Sequence, residues 1–312
     1  MKNTKHIITL FIIAIIFSFN SCDIIEGPYM IDNDTTPVDT STYVKKVLIE
    51  DFTGHRCPNC PSAAEELAAL QNYYGDKVIG IAIHPSSQAF STPSPLTSSS
   101  YTYDFRTEFG DDIDDVFELT TVGLPRGMVN RVGFDTDHQL GKDEWSSAVQ
   151  TELAKDPIFG ITLSSNVSSG NGTISVTAKA LTNINLDKTE EIEDYNIVIC
   201  LTENGIIEWQ KDNTAGDIEE YEHNHVLRTI LNTTFGESMG NSFVEGDIWE
   251  KDYSVDITTL ENVNENYSLN TLFMGNGNCK GWDENKMEIV AYIYNSDNYE
   301  ILQVEQIHLI NH

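Results

Sequence analysis

Hydrophobic positions follow two different periods along this chain, and the change falls at about residue 157. Before it, the predominantly apolar stretches Val44–Phe52 and Val78–His84 predict strands buried on both faces. They alternate with stretches whose apolar residues recur every three or four positions, as on one face of a helix. After it, apolar and polar residues alternate, most regularly over Thr173–Ala180. The pattern predicts an α/β domain over residues 44–157 and an all-β domain over residues 158–312.

Three helices are predicted in the α/β domain. The first runs from about residue 57 to residue 74 and ends at Gly75, a residue suited to closing a helix. The other two are marked by apolar residues at helical spacing: Phe105, Phe109, Ile113, Val116 and Phe117, then Trp145, Val149 and Leu153. The Ser-, Thr- and Pro-rich stretch from Pro85 to Tyr103 is predicted to be a long loop, and long loops are often functional.

The second half shows strands separated by turn signals. Tyr195–Leu201 is a nearly continuous apolar run, while Met287–Tyr294 and Ile301–Leu309 flank a four-residue polar turn and predict a hairpin. Residues 204–242 show no clear period. Because several strands occur without a clear helix, we predict a β-sandwich.

The N-terminus has the pattern of an export signal. A short basic start precedes the apolar run Ile7–Phe19, which has only 13 residues and is too short to span a bilayer as a helix. The run ends in Phe19-Asn20-Ser21-Cys22, which resembles a bacterial lipobox. We predict a lipoprotein signal peptide over residues 1–21, lipidation of Cys22 and a flexible tether over residues 22–43. The alternative is an ordinary secreted protein in which this cysteine occurs by chance.

Composition fits a globular protein and argues against one class of partner. The chain is 40% hydrophobic, and 49 acidic against 18 basic residues give a net charge of −31. Such a charge repels the phosphate backbone, so no nucleic acid is expected as a partner. The expected partners are unidentified proteins, together with the membrane lipid that holds the anchor, and no cofactor is predicted.

Cys57-Pro58-Asn59-Cys60 is the strongest chemical signal in the chain. The motif lies between a predicted buried strand and a predicted helix, the arrangement of a thiol–disulfide site. Unpaired N–H groups at a helix N-terminus stabilise a thiolate, and Arg56 adds a positive charge beside Cys57. Cys57 is predicted to be the exposed attacking thiol, and Cys60 the more buried resolving thiol.

Two further residues are assigned to this site. Asp51, near the end of the first predicted strand, could accept a proton from Cys60, whereas its neighbour Glu50 points to the opposite face. Pro125 is expected to be cis and to face the cysteines, because thioredoxin-like folds carry a cis-proline at the start of a strand in this region. His55 could relay a proton, but a solvated loop histidine is the favoured interpretation.

The other cysteines and a histidine pair leave alternatives open. Outside the cytosol Cys200 and Cys279 could form a disulfide, but Cys200 lies in an apolar run and could equally be a buried free thiol. His223-Asn224-His225 could hold a metal with Glu220 or Glu222. Two histidines without a firm third ligand are weak evidence, so a polar loop or strand edge is favoured and no metal is predicted.

Three motifs resemble those of the twenty-eight-kilodalton outer-membrane lipoprotein family of Bacteroidetes. They are Glu50–Gly54 followed by Cys57–Pro61, then Val122–Arg131, and then His223–Arg228. The resemblance implies an outer-membrane lipoprotein, periplasmic or surface-exposed, with a thioredoxin-like domain and an immunoglobulin-like β domain. It implies no established activity. Compared with active thioredoxins, Arg56 replaces a tryptophan, and Pro-Asn replaces Gly-Pro between the cysteines.

Two functions are consistent with this sequence. In the first, the chain is an exported, lipid-anchored protein that exchanges thiols and disulfides with protein partners through Cys57, Cys60, Asp51 and Pro125. In the second, it is a surface binding or adhesion lipoprotein whose Cys57–Cys60 disulfide only braces a loop. The reduction potential of the cysteine pair separates the two, because an inert structural disulfide has a potential below about −300 mV.

Overall fold

The computed structural model describes residues 43–87, 89–186 and 194–310, which belong to one compact unit. The predicted signal peptide, the lipidated Cys22 and almost all of the predicted tether lie outside the described residues. Among the described residues, no helix is long and apolar enough to cross a bilayer. The fold of this unit mixes α-helices and β-sheets, as the hydrophobic pattern predicted.

The first half of the described chain alternates strands and helices. Its strands are β1 (Val47–Phe52), β2 (Val78–Ile83) and β3 (Arg126–Val129), and its helices are α1 (Pro61–Tyr74), α2 (Glu108–Phe117) and α3 (Lys142–Leu153). Every residue of β1 and β2 is buried, as their continuous apolar runs predicted. The described residues of the 85–103 stretch contain no helix or strand, so this stretch is the predicted loop.

The second half is built mainly of strands. They are β4 (Phe159–Ser168), β5 (Asn171–Ala180), β6 (Tyr195–Glu203), β7 (Ile206–Asp212), β8 (Gly216–His223), β9 (Val226–Ile230), β10 (Glu237–Gly240), β11 (Ile248–Asp256), β12 (Met287–Asn295) and β13 (Ile301–His308). β12 and β13 pair antiparallel, which confirms the predicted hairpin.

The expectation of an all-β second half is wrong in one element, helix α4 (Ile257–Asn270). The carboxylate of Asp256 caps this helix, accepting hydrogen bonds from the N–H of Thr259 at 3.1 Å and from its hydroxyl at 2.9 Å. The buried positions of α4 include Asn264 and Ser268. Because polar residues lie on its inner face, α4 has no apolar stripe for a hydrophobic pattern to reveal.

The stretch 204–242, which showed no period, contains strands β7 to β10. β7 and β8 pair only with each other among the described strands and form a separate hairpin. At its turn, the Asp212 carboxylate accepts hydrogen bonds from the N–H groups of Thr214 and Ala215, and Gly216 takes a positive φ of 82°. Much of this hairpin is exposed, so its residues are largely polar.

One large sheet joins strands from both halves of the chain. Its order is β13-β12-β6-β9-β2-β1-β3, with β10 paired to β6, and a three-stranded sheet of order β11-β5-β4 packs beside it. β1 pairs parallel with β2 and antiparallel with β3. β2 meets β9 at Ala82 and Val226, where the two halves of the chain join. The carboxyl ends of β1 and β2 therefore lie at the same edge of the sheet.

The hydrophobic core is also shared between the halves. One cluster combines Leu48, Ile81 and Phe117 of the first half with Val198 and Val290 of the second. A second cluster fills the space between the three-stranded sheet and the large sheet, and a third lies beneath α1 and α3. The domain boundary predicted between residues 157 and 158 stays a prediction. Strands from the two halves of the chain share the large sheet, and side chains from both halves share one core cluster.

Candidate functional site

The Cys57–Cys60 motif lies between the end of β1 and the start of α1. Cys60 is the residue that caps α1, and Pro61 occupies the first helical position, where its missing N–H costs no hydrogen bond. The N–H of Ala63 donates to the carbonyl oxygen of Cys60 at 2.9 Å, which begins the helix. Cys57 and Cys60 form a disulfide, but the helix begins at Pro61 and not at about residue 57, so both cysteines precede its first turn.

The expected exposure of Cys57 is wrong. Cys57 and Cys60 are each only 1% exposed, so neither sulfur is freely accessible to a partner protein. The reason lies far away in the sequence, because the β7–β8 hairpin covers this motif. The N–H of Lys211 donates to the His55 carbonyl at 2.8 Å, and the N–H of Asn213 donates to the Pro58 carbonyl at 2.8 Å.

A side chain and a loop complete the cover. The side-chain amide of Gln210 donates to the carbonyl oxygens of Cys57 at 3.1 Å and Gly54 at 3.3 Å. From the 85–103 loop, the carbonyl of Phe90 accepts a hydrogen bond from the N–H of Arg56 at 2.9 Å. The Arg56 guanidinium also lies over the ring of Tyr101, 5.2 Å from its centre. The loop predicted to be functional therefore contacts the motif directly.

A cavity of about 240 Å³ lies on the other side of Cys60. It is bounded by α1, by the ends of β1 and β2, and by the β7–β8 hairpin and its connection to β9. The polar and sulfur-bearing side chains of its lining include Asp51, Cys60, His84, Gln210, Tyr221, His223 and His225. This volume admits several water molecules, and the lining supplies polar groups to bind them.

Asp51 is the buried carboxylate of this lining, whereas Glu65 and Glu222 are exposed. It is 2% exposed, and its Oδ1 has no hydrogen-bond partner among the described residues. Burial raises the pKa of Asp51 from 3.8 to about 7, because the charged form loses its hydration. Its neighbour Glu50 lies on the opposite face of β1, where its carboxylate binds the Arg131 guanidinium at 2.6 and 2.7 Å. The two carboxyls lie on opposite faces of β1, as strand alternation predicted.

Three buried histidines surround Phe105 near this cavity. The ring centre of Phe105 lies 4.7 Å from that of His84, 4.6 Å from that of His223 and 5.6 Å from that of His55. Burial lowers the pKa of all three histidines, to about 3 for His55 and about 4 for His223, so their imidazoles are neutral near pH 7. The interpretation of His55 as a solvated loop residue is wrong, since it is fully buried.

The His223-Asn224-His225 motif lies where β8 ends and borders the cavity. Nε2 of His225 lies 3.0 Å from the side-chain oxygen of Gln71 on α1. His223 is the last residue of β8, which pairs only with β7 among the described strands, so it lies at a strand edge as favoured, although it is only 6% exposed. Among the described residues, no group of three or more histidine, cysteine or acidic side chains is arranged to hold a metal ion.

Pro125 lies at the same end of β1 as the cysteines. The Leu124–Pro125 bond is cis, as predicted. Pro125 directly precedes β3, whose first residue Arg126 pairs with Phe52 at the end of β1. The structure therefore places Asp51, the cysteine pair and Pro125 around the carboxyl end of one strand.

The two remaining cysteines of the described chain do not join this site. Cys200 and Cys279 are both buried free thiols, so the pairing that the sequence left open is absent from the structure. Cys200 faces the core cluster shared by the two halves of the chain, whereas Cys279 lies in the connection between α4 and β12. Burial raises the pKa of both thiols, which keeps them protonated and unreactive.

Sequence reasoning missed three residues of the site: His84, Gln210 and Tyr221. His84 offered a usable signal, because it directly follows a buried strand at the sheet edge where functional side chains collect. Gln210 and Tyr221 offered none, since they lie in the hairpin whose strands were not recognised. Only the folded chain brings them beside cysteines about 150 positions earlier.

Comparison with protein families identifies the class as an outer membrane protein. The family model described as outer membrane protein Omp28 matches residues 111–279, which is more than half of the chain. The chain therefore belongs to the Omp28 family of outer membrane proteins, as its motifs suggested, and its location is the outer membrane. No curated protein matches the chain at a significant level.

Solved structures give a further comparison. The chain is similar to HBP35 of Porphyromonas gingivalis, with 15% identity and a TM-score of 0.55, over 86% of this chain and 76% of that one. A protein from Agrobacterium tumefaciens has 9% identity and a TM-score of 0.47, over 87% and 98% of the two chains. A domain of the outer membrane lipoprotein Omp28 from Porphyromonas gingivalis has 16% identity and a TM-score of 0.27, over 49% and 88%. The likeness to HBP35 bears on the fold alone.

Proposed function

We propose that this chain is a thiol–disulfide exchange protein of the outer membrane, in which Cys57 and Cys60 alternate between a disulfide and a dithiol. The observation that carries the proposal is the position of this disulfide at the start of α1, with the buried carboxyl of Asp51 in the cavity beside Cys60. N–H groups at the start of a helix favour a thiolate, and a base with a pKa near 7 suits proton transfer at neutral pH.

The exchange divides into two sulfur transfers. In the reducing direction, the Cys57 thiolate attacks one sulfur of a partner disulfide, and the other partner sulfur leaves as a thiolate. Cys60 then gives its proton to the Asp51 carboxylate, and the Cys60 thiolate attacks the sulfur of Cys57. The Cys57–Cys60 bond forms, the second partner thiolate leaves, and two electrons have passed to the partner. The reverse sequence oxidises a partner dithiol.

We assign the proton of Asp51 a route to solvent through the cavity. His84 and His223 line it, and ring nitrogens of both lack a partner among the described residues. Because these imidazoles are neutral near pH 7, each ring can accept a proton at one nitrogen and donate one at the other. A carboxyl group that takes up a proton in each cycle needs such a route, since burial otherwise isolates it from water.

The finer architecture belongs to the same proposal. We assign a thioredoxin-like arrangement to residues 44–157 and an immunoglobulin-like arrangement to the strands after residue 158, with α4 as an added helix. Lipidation of Cys22 would hold this unit at the membrane. A Cys22→Ser variant is expected to leave the membrane fraction of cells, and retention of the variant there would contradict lipid attachment at this residue.

The proposal is tested by trapping partners. In a Cys60→Ser variant the second sulfur transfer cannot occur, so partner proteins should remain disulfide-linked to Cys57 and be recovered from the cell envelope under non-reducing conditions. A Cys57→Ser, Cys60→Ser double variant is the matched control and should trap none. Recovery of no partner by Cys60→Ser would count against exchange.

A measurement of the reduction potential of the cysteine pair distinguishes thiol–disulfide exchange from a binding or adhesion function. Both sulfurs are buried, which is also a property of structural disulfides. A potential well below about −300 mV would identify a structural disulfide and favour a binding or adhesion protein. We expect a higher value, within the range of exchange proteins.

A further inference from the structure

We propose that the β7–β8 hairpin occupies the surface that a partner polypeptide contacts. To reach Cys57, an extended partner segment must displace this hairpin and take over its backbone hydrogen bonds. The inference deepens the proposed function, since it names the kind of partner segment and the element that controls its access.

The backbone contacts of the hairpin define what the partner must supply. The N–H groups of Lys211 and Asn213 donate to the carbonyl oxygens of His55 and Pro58, which flank Cys57 in the sequence. Donors two residues apart, about 7 Å along an extended chain, point to the same side of that chain. Any extended segment that carries its cysteine between two such donors offers the same pair of bonds. Because the bonds involve only backbone atoms, they tolerate many partner sequences.

Gln210 holds the hairpin in place. Its side chain is 3% exposed, and its amide nitrogen donates to the carbonyl oxygens of Cys57 and Gly54. The backbone of Gln210 belongs to the hairpin, whereas both acceptors belong to the cysteine motif. These bonds are therefore lost when the hairpin leaves, and a partner backbone can satisfy one of the freed carbonyls.

The hairpin is a separate unit in the strand pairing. Its two strands pair with no other described strand, and an isolated two-stranded hairpin depends on its surroundings for its position. The two connections to the rest of the chain pass through Gly205 and His225, both with positive φ. The Asn224 side chain accepts the N–H of Gly205, and the Asn204 side chain accepts the N–H of His225, both at 2.8 Å. These reciprocal bonds hold the two connecting segments together at the base of the hairpin. We therefore expect the hairpin to be displaced as one piece, with its two strands still paired.

The first test measures access to Cys57 in the full mature chain. After reduction, the rate of alkylation of Cys57 by iodoacetamide is followed by mass spectrometry in the wild type and in a Gln210→Ala variant. Loss of the two bonds should raise the rate about fivefold to tenfold, because the open position becomes more populated. Asn213→Pro removes the backbone N–H that donates to the Pro58 carbonyl, and it should also raise the alkylation rate. Glu220→Ala, on an exposed residue of β8, is the matched control and should change the rate by less than about twofold.

The second test asks whether the partner replaces the hairpin bonds. A synthetic extended peptide with one activated cysteine is reacted with the Cys60→Ser chain and with a Cys60→Ser, Gln210→Ala chain. The second chain should be trapped faster. N-methylation of the two peptide amides that flank the cysteine should slow trapping about tenfold, whereas N-methylation near the peptide end should not.

Each outcome bears on the proposal. Unchanged alkylation in both hairpin variants would show that the hairpin does not control access. Faster alkylation with no effect of flanking N-methylation would overturn the replacement of backbone bonds. If the peptide results hold but Cys60→Ser traps no envelope protein in cells, the proposed function fails while the role of the hairpin stands.

Discussion

Glu50 and Asp51 are neighbours in β1, both buried, yet they differ in chemistry because strand alternation turns them to opposite faces. Glu50 is neutralised by Arg131, whose guanidinium also donates to the Tyr292 hydroxyl at 2.9 Å. Asp51 has no such cation and faces the cavity beside Cys60. A buried carboxyl without a partner holds its proton to higher pH, and this is the property that a proton acceptor for Cys60 requires.

Asp51→Asn is expected to stabilise the protein above neutral pH. The folded pKa of about 7 exceeds the ordinary value of 3.8, so the unfolded chain ionises first as pH rises. Stability should therefore fall between about pH 4 and pH 7 and remain lower above it. Removing the group should restore a few kcal/mol at pH 8 and little at pH 4. Urea unfolding at both pH values measures this, and Asp115→Asn, on an exposed residue, is the control. Equal effects at the two pH values would contradict the raised pKa.

At the scale of elements, capping and turn residues determine structure where hydrophobic periodicity is weak. Helix α4 buries Asn264 and Ser268 and starts at the Asp256 cap. The β7–β8 hairpin turns at Asp212, whose carboxylate accepts the two following N–H groups. Both elements lie in stretches that apolar patterning leaves undefined. Their local polar signals were present in the sequence but are weaker predictors than a continuous apolar run.

Asp256→Ala is expected to destabilise α4 selectively. The substitution removes the acceptor for the N–H and hydroxyl of Thr259 and should cost about 1 kcal/mol. Hydrogen exchange of the first-turn amides of α4 should accelerate about fivefold, with smaller changes elsewhere. Asp252→Ala, an exposed position in β11, is the control. Unchanged protection of α4 would show that the cap contributes nothing.

At the scale of the whole molecule, polar contacts as well as core packing tie the two halves together. Arg131 follows β3 in the first half, but its guanidinium contacts Tyr292 of β12. The N–H of Ile301 donates to the Asn130 carbonyl at 2.9 Å, and the N–H of Lys46 donates to the Gln303 side chain at 3.0 Å. These contacts join residues of the first half to strands β12 and β13 at the end of the described chain.

Glu50→Gln is expected to destabilise both halves in one transition. It leaves the Arg131 guanidinium buried without its carboxylate, which should cost about 3–5 kcal/mol. The urea unfolding curves from tryptophan fluorescence and from far-UV circular dichroism should shift together, since Trp145 lies in the first half and Trp209, Trp249 and Trp282 lie in the second. Asp143→Asn, which breaks an exposed ion pair with Lys142, should change stability by less than about 1 kcal/mol. Separate transitions would show that the halves unfold independently.

The sequence by itself determined the features that depend on neighbouring residues. Continuous apolar runs gave β1 and β2, and Cys57 to Pro61 gave a cysteine pair at a helix start. Alternation along β1 was sufficient to separate Asp51 from Glu50. These predictions succeeded because strand and helix periods, proline geometry and side-chain alternation act over a few residues.

Only the tertiary structure decided how accessible and how acidic these groups are. The cover over Cys57 comes from Gln210, Lys211 and Asn213, and His223 and His225 line the cavity beside Asp51. Residues more than 150 positions apart meet there because β2 joins β9 at the centre of the sheet. Burial and pKa depend on everything that surrounds a group in space, and no local pattern in the sequence contains that information.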